Sequence, residues 1–438
     1  MKLWGFDLAG IAAAGADEDQ VLRELRRHRR ALHMIPELDF DVPCTIAYVR
    51  AHLESLSCDI FEPCRSCVCA YFDFGFDAAV AVRADMDALP IVERSAAPCA
   101  SSHPGRAHAC GHDAHMAMAL TLASLIDRVA ARESRDAPGR GAPADPSSTG
   151  LPCGANAAAG TDRLPGASYA KPASNILFVF QPAEETTGGA RLVCASGVFE
   201  RFNVQAVYGF HVWPALPAGM VATRSGALFA RSSETHIDIR GESAHIASMY
   251  GVSDGDARDA MLAAARFLEG AHALERELAA RERCIVKFGV LRAGSVCNAV
   301  AADAHIEGSI RVYSDALFDM ARDGVRACLD AACASTGCSY DVTFNEGYPP
   351  VVNDASLVDR ARAVVPRLKE LDEPALTAED FSFYQQRVPG LFMLLGVGAT
   401  EAFPAGAASA LHAEDFYFDE EPLVCGVDTY CRLLGWTA

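Results

Sequence analysis

Apolar residues along the chain follow two different periods. Helical spacing of apolar positions predicts helices at residues 17–32, 45–56 and 114–132. Short, nearly continuous apolar runs predict strands at residues 68–74, 78–91, 175–181, 206–214 and 391–398. Strands of this composition are typical of a mainly parallel sheet that is covered on both faces, so the pattern indicates an α/β fold.

Between residues 224 and 347 the order of elements changes to strand, helix, strand, strand, helix, strand. This is the βαββαβ order of a ferredoxin-like unit, which is complete in itself. We therefore predict an inserted domain at 224–347, within a discontinuous catalytic domain formed by residues 1–223 and 348–438. A stretch at about 133–172, rich in proline, glycine, serine and alanine, predicts a flexible surface insertion.

Composition narrows the class of protein. A chain of 438 residues is too long for one compact core, and its formal net charge of −19 argues against a nucleic-acid partner. No apolar run approaches the length needed to span a bilayer, so we expect no membrane partner. Disulfide frameworks belong to small secreted proteins, and we find no export signal. The 16 cysteines therefore indicate reduced thiols and a cytoplasmic location.

A dense group of ligating residue types, HACGHDAH, occupies positions 108–115. Thiolate and imidazole groups, as in Cys110 and His112, are preferred ligands of Zn²⁺ and similar ions, whereas Mn²⁺ prefers more oxygen. Two other interpretations stay open on this segment alone. Its histidines could cap a helix, or Cys110 could be a nucleophile that a neighbouring histidine activates.

Acidic side chains follow two of the predicted strands. Asp85 and Asp87 end one apolar run, and Glu184 and Glu185 follow another, at the edge where open α/β sheets bind ligands. A bound cation would relieve the repulsion between Glu184 and Glu185 and leave one carboxylate free for proton transfer. His211 lies near the end of a further predicted strand, and His412 comes after the last predicted strand. The segments together supply five candidate ligands of a two-metal site: Cys110, His112, Glu185, His211 and His412.

These segments resemble the M20 metallopeptidase family, in its branch of N-acyl-amino-acid amidohydrolases, hippurate hydrolases and auxin-conjugate (IAA-amino acid) hydrolases. The matching segments run through nearly the whole chain in the family's order: RRALHMIPEL (29–38), RADMDALPI (83–91), HACGHDAHMAMAL (108–120), FQPAEETTGGA (180–190), HVWPALPAG (211–219), GESAH (241–245), AEDFSFYQQRVPG (378–390) and LHAEDFYFDE (411–420). The resemblance implies an α/β fold in which a mainly parallel-sheet, zinc-peptidase-like catalytic domain carries an inserted ferredoxin-like (βαββαβ) lid and dimerisation domain. It implies a metal-dependent amidohydrolase that cleaves the amide bond of an N-acyl amino acid or a related small amide.

The resemblance also implies roles for single residues. Glu184 corresponds to the general base, which takes a proton from water and returns it to the leaving amine. His245, on the inserted domain, corresponds to the histidine that reaches a partner subunit's site and stabilises the oxyanion, which implies a homodimer through that domain. The family's ligands of two divalent ions, which are manganese or zinc and in some cases cobalt or nickel, correspond to Cys110, His112, Glu185, His211 and His412.

Other positions bear on the substrate and on the support of the ligands. Asn298 and Arg311 lie near positions that resemble the family's contacts to the substrate carboxylate, and arginine suits a bidentate carboxylate. Asp85 and Asp87 are expected beside the ligands, with Asp87 orienting a histidine. The chain departs from the branch in the segment IASMYGVSDGDARDA after His245 and in NAVA from Asn298. Both departures affect the expected substrate pockets and leave the metal chemistry untouched.

Three hypotheses about function follow from these residues. The first is a metal-dependent amidohydrolase acting on a small N-acylated amino acid, with a dipeptidase or aminoacylase of the same family as its nearest variant. The second is a cysteine hydrolase that uses Cys110. The third is a non-catalytic metal-binding or ligand-binding protein with the same fold. The preferred acyl group and amino acid and the native metal are open at this point.

Overall fold

The computed structural model describes residues 8–95, 98–136, 172–399 and 410–436 of the chain. Its helices are α1 (Ala9–Ala13), α2 (Glu18–His33), α3 (Pro43–Leu53), α4 (His112–Asp136), α5 (Gly189–Ala195), α6 (Val198–Arg201), α7 (Asp254–Ala257), α8 (Ala260–Ala279), α9 (Asp315–Thr336), α10 (Ala355–Val364), α11 (Ser382–Gln385) and α12 (Leu423–Leu433). Its strands are β1 (Asp59–Phe61), β2 (Val68–Phe72), β3 (Ala79–Asp85), β4 (Asn175–Gln181), β5 (Val204–Trp213), β6 (Val221–Thr223), β7 (Gly226–Phe229), β8 (Arg231–Arg240), β9 (Ile285–Ala293), β10 (Asp303–Val312), β11 (Ser339–Phe344), β12 (Val351–Asn353), β13 (Lys369–Glu370) and β14 (Gly390–Gly396). Residues 137–171, which make up most of the insertion predicted at about 133–172, lie outside the described residues.

Eight strands form one mixed sheet whose centre is parallel. Their order across the sheet is β1-β2-β4-β3-β5-β14-β6-β13. The four central strands β4, β3, β5 and β14 all run in the same direction. The mainly parallel sheet expected for the catalytic domain is thus confirmed. Because the strands are parallel, their carboxyl ends meet at one edge of the sheet.

The burial of β4 on both faces of the sheet explains why its sequence is a continuous apolar run. Ile176, Phe178 and Phe180 face a core that includes residues of α2, α4 and α12. Leu177 and Val179 face a second core, which includes residues of α5, α6 and α11. Successive side chains of a strand point to opposite faces, so a strand covered on both faces has apolar residues at every position.

A second sheet has four antiparallel strands in the order β11-β8-β10-β9. Helices α8 and α9 cover one face, on which Ile237 of β8 and Ile306 of β10 are buried. The opposite face carries polar side chains such as His236 and Glu307. This is the ferredoxin-like βαββαβ arrangement expected for the inserted segment. We refer to β8–β11 with α8 and α9 as the lid; the domain boundaries at 223/224 and 347/348 stay a prediction.

Five short strands were not predicted from the sequence. β1, β6, β7, β12 and β13 contain two to four residues each, which is too few for a periodic pattern of apolar positions. β6 and β13 extend the large sheet, whereas β7 pairs with β12. Because β7 directly precedes the lid and β12 follows it, this pairing holds the two connections of the lid together.

One helix corrects our expectation about apolar segments. Among the described residues, the stretch His112–Ala131 of α4 is long and apolar enough to cross a membrane by length and composition. However, 78% of it is buried inside the protein, as is typical of the core helix of a globular domain. Its apolar side chains pack in the core together with residues of α2 and α12.

Asn353 of β12 is a buried amide that connects several chain segments. Its Nδ2 donates to Thr223 Oγ1 (2.9 Å) and to the Phe392 carbonyl oxygen (2.9 Å). Its Oδ1 accepts from the Phe392 N–H (2.7 Å) and from Gln385 Nε2 (3.0 Å). The side chain therefore links β12 to β6, to β14 and to α11, and it supports the strand next to β5.

We predict that Asn353→Ala lowers the free energy of unfolding by about 2–4 kcal/mol, because it leaves several buried donors and acceptors without partners. Chemical denaturation followed by circular dichroism measures this change. Gln205→Ala removes an exposed amide of β5 and is the matched control; it should change the free energy by less than about 0.5 kcal/mol. Equal losses for the two variants would contradict the structural role of Asn353.

Candidate metal centre

The candidate site lies at the edge of the large sheet where the parallel strands end. β3 ends at Asp85, Glu184 and Glu185 follow shortly after β4, and His211 lies near the end of β5. This is the edge at which open α/β sheets bind ligands. The fold therefore collects side chains that are far apart in the sequence.

Cys110 and His112 reach this edge from a turn that leads into α4. Between them, Gly111 has a φ of +88°, and a Cβ atom on it would lie 2.4 Å from Val212 Cγ2. Glycine alone tolerates both this conformation and this close approach without strain. The turn thus depends on glycine at the position between the two predicted ligands.

The structure brings all five predicted ligands together. Cys110 Sγ lies 3.3 Å from Nε2 of His211 and 3.3 Å from Nε2 of His412. Glu185 Oε1 lies 3.3 Å from His412 Nε2 and 3.7 Å from His112 Nε2. Two groups of three share Cys110: one adds His112 and His211, the other Glu185 and His412. Within each group the ligating atoms lie within 4.8 Å of one another.

His412 is held in an unfavourable backbone conformation. Its φ is +66°, which costs a residue other than glycine about 1–3 kcal/mol. Its N–H donates to the Ala109 carbonyl oxygen (2.8 Å), so the segment of His412 is fixed to the turn that carries Cys110. Strain of this kind is typical of functional sites, where the surrounding structure holds it in place.

The donor atoms fit divalent cations. Within the described ranges, neither His112 Nε2 nor Glu185 Oε1 has a hydrogen-bond partner, although both atoms are buried. A buried polar atom without a partner costs free energy. Coordination of a cation by both residues would remove that cost. A donor set of one thiol, three imidazoles and one carboxylate suits borderline transition ions.

Hydrogen bonds determine which nitrogen of two ligands faces the centre. Nδ1 of His112 lies 2.8 Å from the Asp87 carbonyl oxygen, and Nδ1 of His211 lies 2.7 Å from the Val212 carbonyl oxygen. A carbonyl oxygen only accepts, so Nδ1 carries the proton in both rings. Nε2 is therefore the nitrogen that each ring presents to the centre, where it could bind a metal.

The charges around the centre favour a cation. Burial disfavours a charged His112, but Asp85 and the hydrogen bond to Asp87 outweigh it and raise the pKa of His112 to about 10. Burial, together with His115 and His112, lowers the pKa of His211 to about 3. His211 thus stays in the neutral form that binds metals. The carboxylates that favour a proton on His112 equally favour a metal cation beside it.

Asp85 and Asp87 lie beside the ligands, but the role of Asp87 differs from the expected one. The Asp87 carboxylate accepts from the N–H groups of Glu184 (2.9 Å) and Glu185 (3.1 Å). Its carbonyl oxygen, rather than its carboxylate, accepts from His112. Asp87 therefore orients the acidic pair as well as one histidine. Asp85 Oδ2 lies 3.7 Å from His112 Nε2.

A buried arginine beneath the site was not predicted. The guanidinium of Arg83 contacts Asp85 Oδ2 (2.7 Å), Asp380 Oδ1 (2.7 Å) and Glu379 Oε1 (3.0 Å). In the sequence it appears as a single charge inside the apolar run AVAVRAD. This charge is informative, because an arginine buried in a strand requires acidic partners. Arg83 compensates part of the negative charge collected beneath the ligands.

His115 belongs to the motif HACGHDAH, yet it is not free to bind a metal. Its Nδ1 lies 2.7 Å from Asp85 Oδ1, and its Nε2 accepts from the Val212 N–H (3.0 Å). Both ring nitrogens are therefore occupied. His115 connects the end of β3 to the end of β5 and so fixes the position of the neighbouring His211.

Glu184 lies beside the ligands in a position to exchange protons. Its Oε2 is 3.9 Å from His112 Nε2. Burial raises the pKa of the Glu184 carboxyl well above its usual value, and Glu379 and Glu185 raise it further. The Tyr348 hydroxyl donates to the Glu184 carbonyl oxygen (2.6 Å). This contact fixes the carbonyl group of Glu184, whereas Asp87 fixes its N–H group.

A cavity of about 410 Å³ is lined by Glu184 and by all of the candidate ligands except His112. Trp213 and Phe229 form an apolar part of its wall, with ring centroids 5.6 Å apart. Arg311 reaches the cavity from β10 of the lid, and its Nη1 donates to the Leu376 carbonyl oxygen (2.8 Å). The volume and this mixture of apolar and charged groups suit a small organic ligand.

His245 and Asn298 lie elsewhere on the lid. Neither of them lines this cavity in the part of the chain that the structure describes. His245 is exposed, and its Nδ1 accepts from the Ala247 N–H (3.1 Å). The Asn298 carbonyl oxygen accepts from the Ile246 N–H (3.1 Å). Within a single chain, Arg311 alone of the three predicted lid residues reaches the cavity.

The surroundings of Cys110 do not favour a cysteine nucleophile. Burial raises the pKa of the Cys110 thiol well above its usual value, and the carboxylates of Glu185 and Glu184 raise it further. A cysteine nucleophile reacts as the thiolate and therefore needs a lowered pKa. The thiol is placed as a ligand between two histidines instead.

Solved structures share this fold. A putative aminohydrolase from methicillin-resistant Staphylococcus aureus superposes with a TM-score of 0.78 at 22% identity, covering 96% of this chain and 98% of that one. A dinuclear metal binding peptidase of the M20 family from Bacillus subtilis superposes with a TM-score of 0.74 at 26% identity, covering 95% and 98%. The complete architecture, with catalytic sheet and lid, is thus common to these proteins.

Similarity in sequence extends over nearly the whole chain. An N-acetyldiaminopimelate deacetylase from Lacticaseibacillus paracasei is 31% identical over 419 residues, which are 93% of this chain and 96% of that protein. An uncharacterized hydrolase from Staphylococcus aureus is 31% identical over 420 residues, covering 94% and 98%. The family model of peptidase family M20/M25/M40 matches residues 81–137 and 155–435, which contain all five candidate ligands. The chain therefore belongs to peptidase family M20/M25/M40.

Proposed function

We propose that this hydrolase cleaves the amide bond of a small N-acylated amino acid, with Glu184 as the general base. One observation carries the proposal: five ligating side chains converge beside a buried carboxylate, and one cavity is lined by that carboxylate and by four of the five ligands. A non-catalytic binding protein would have no need of an uncoordinated acid at this place. Glu184 supplies the group that turns a metal site into a hydrolytic one.

The five ligands would hold two divalent cations, with manganese, zinc, cobalt and nickel as the candidates. When bound, such cations lower the pKa of water and polarise an amide carbonyl. Two groups of three ligands that share Cys110 match a pair of neighbouring ions. The choice among the four metals depends on their supply in the cell as well as on the ligands.

The protein's own part in the reaction is proton transfer and positioning. The Glu184 carboxylate takes a proton from the attacking water, and the oxygen adds to the amide carbon. Glu184 then returns the proton to the amine nitrogen as the C–N bond breaks, which yields a carboxylic acid and a free amine. Asp87 and Tyr348 hold the backbone of Glu184 on two sides, so the carboxylate keeps its position during both transfers.

The walls of the cavity support an N-acylated amino acid as the substrate. One N–H group of the Arg311 guanidinium donates to the Leu376 carbonyl oxygen. Its other N–H groups can bind the substrate carboxylate. Trp213 and Phe229 provide an apolar surface for the acyl group. The name of the relative from Lacticaseibacillus paracasei, a deacetylase of an N-acetylated amino acid, supports the same substrate class.

We further propose that two chains pair through the lid and that His245 acts in the partner's site as an oxyanion donor. An exposed apolar surface around His245 and Asn298 supports pairing, because isolated proteins rarely leave such residues exposed together. Ile246 is 51% exposed, Tyr250 99% and Val296 59%. Burial of these side chains against a second copy would bring His245 to a cavity that it does not reach in its own chain.

A cytoplasmic location is part of the same proposal. All cysteines of the described residues have free thiols, and reduced thiols persist in reducing compartments. The acidic chain, with a net charge of −19, suits a small-molecule substrate rather than nucleic acid.

We predict that Glu184→Gln lowers kcat by about 10²–10⁴-fold, because the amide cannot accept a proton from water. Metal content per chain should be unchanged, since Glu184 is not one of the five ligands. A panel of N-acetyl and N-benzoyl amino acids and dipeptides, assayed after reconstitution with each metal, measures the effect. Glu200→Gln, at an exposed glutamate of α6, is the control and should retain full activity. Turnover of Glu184→Gln at the control's level would exclude Glu184 as the base.

Removal of the metals separates the two hydrolase hypotheses. We expect a chelator to abolish activity and manganese, zinc, cobalt or nickel to restore it, because the water-activating step depends on the cations. Cys110→Ser should reduce the metal content measured by elemental analysis, whereas Cys297→Ser, at an exposed thiol, should not. Turnover that persists in metal-free protein and disappears in Cys110→Ser would instead establish a cysteine hydrolase.

Mixing two inactive variants tests the role of His245 across subunits. We expect His245→Ala and Glu184→Gln each to be nearly inactive. An equimolar mixture that exchanges subunits should recover about a quarter of the parent activity, since half of the dimers are hybrids and each hybrid has one intact site. Size-exclusion chromatography with light scattering checks the dimer. A fully active monomer, or no recovery in hybrids shown to have formed, would contradict a contribution in trans.

A further inference from the structure

The polar face of the lid carries a second group of metal-ligating side chains. In the pairing of β8 with β10, His236 lies directly opposite Glu307, and Asp238 lies directly opposite His305. Residues two apart on a strand point to the same face, and opposite residues on antiparallel strands have Cβ atoms about 4.5–5.5 Å apart. Two imidazoles and two carboxylates thus form a square on the face away from α8 and α9.

The side chains of this square already converge. His305 Nε2 lies 3.1 Å from Glu307 Oε1, and the ligating atoms of His236, His305 and Glu307 all lie within 4.8 Å of one another. A tetrahedral zinc ion with bonds of about 2.0–2.1 Å needs its ligand atoms roughly 3.3–3.5 Å apart. All three side chains are partly exposed, so small rotations about their side-chain bonds can close the remaining distance.

Neighbouring carboxylates complete the arrangement. Asp238 Oδ1 lies 2.7 Å from His305 Nδ1, which is the carboxylate–histidine contact that orients a metal-ligating imidazole and leaves Nε2 for the metal. Glu234 Oε2 lies 3.7 Å from His236 Nε2 and can serve as a fourth donor. The guanidinium of Arg292, 3.5 Å from Glu307, provides one nearby positive charge. Three carboxylates therefore leave the group with an excess of negative charge.

An ion pair between His305 and its neighbouring carboxylates accounts for only part of this group of side chains. A protonated His305 between Asp238 and Glu307 explains those three residues. It does not explain the imidazole of His236, which makes no side-chain hydrogen bond to any described residue and has Glu234 as its ionic neighbour at 3.7 Å. A cation bound by both imidazoles gives each of the residues a partner.

We propose that His236, His305 and Glu307 form a second metal site on the lid, which binds a divalent ion of the zinc class, with Asp238 orienting His305. The site is separate from the catalytic centre, whose cavity is lined by none of these residues. A bound ion would connect β8 to β10, the strand that also carries Arg311. It would therefore stiffen the strand that presents Arg311 to the substrate.

Metal counting on the full-length protein tests this site directly. The parent and three variants, His305→Ala, His236→Ala and His272→Ala, are dialysed to equilibrium against the same buffered concentration of free Zn²⁺, and zinc and protein are quantified. His272, on α8, is an exposed histidine with one glutamate 3.8 Å away and serves as the matched control. Circular dichroism spectra identical to the parent's confirm that the variants are folded.

We expect His305→Ala and His236→Ala each to bind about one zinc ion fewer per chain than the parent, whereas His272→Ala binds as many as the parent. The catalytic ligands are identical in all four proteins, so their contribution cancels in the difference. Zinc contents equal to the parent's in both lid variants would overturn the proposal, as would an equal loss in the control. Glu307→Gln provides a second variant that keeps both histidines, and it should also lose the additional ion. The count does not depend on turnover, so it stands whether or not the proposed hydrolysis is observed.

Discussion

Repulsion between carboxylates buried at one edge of a sheet is the constraint on which this molecule depends. Asp85, Glu184 and Glu185 meet where three parallel strands end. Buried carboxylates that lie this close together stay ionised only when positive charge is nearby. Arg83 supplies one permanent cation from beneath. The candidate ligands lie on the open side, and cations held there would complete the balance of charge. Hydrolysis at this edge follows from the same electrostatics that make the edge stable.

The main chain is shaped to meet that constraint. Gly111 allows two ligands to approach from one tight turn, and the strained conformation of His412 is held by its hydrogen bond to Ala109. Asp87 binds the backbone of the acidic pair rather than solvent. Each of these contacts restricts a donor atom before any ligand binds. Fixing the donors in advance lowers the entropy lost on binding and keeps the reacting groups aligned.

Much of the fold and most of the ligand set could be predicted from the sequence, because long apolar runs and ligating residue types leave direct patterns. The short strands could not, since two to four residues have no measurable period. The buried arginine beneath the ligands was also missed. Arg83 appears in the sequence as a single charge in an apolar strand, and its partner Asp380 lies nearly three hundred residues away. Contacts at such separation are set by the topology of the sheet, which a single sequence does not display.

The division of the protein into a catalytic core and a lid separates the proposed metal centre from part of the proposed substrate recognition. All five candidate ligands of the catalytic centre, and Glu184 with them, lie on the catalytic core, where a change of one donor disturbs several buried charges at once. Arg311, His245 and Asn298 lie on the lid, where a substitution at the surface generally costs little stability. The departures from the family pattern, after His245 and from Asn298, fall on the lid as well. A chain built in this way can change the amide it cleaves by altering lid residues while its buried centre, and hence its reaction, stays the same.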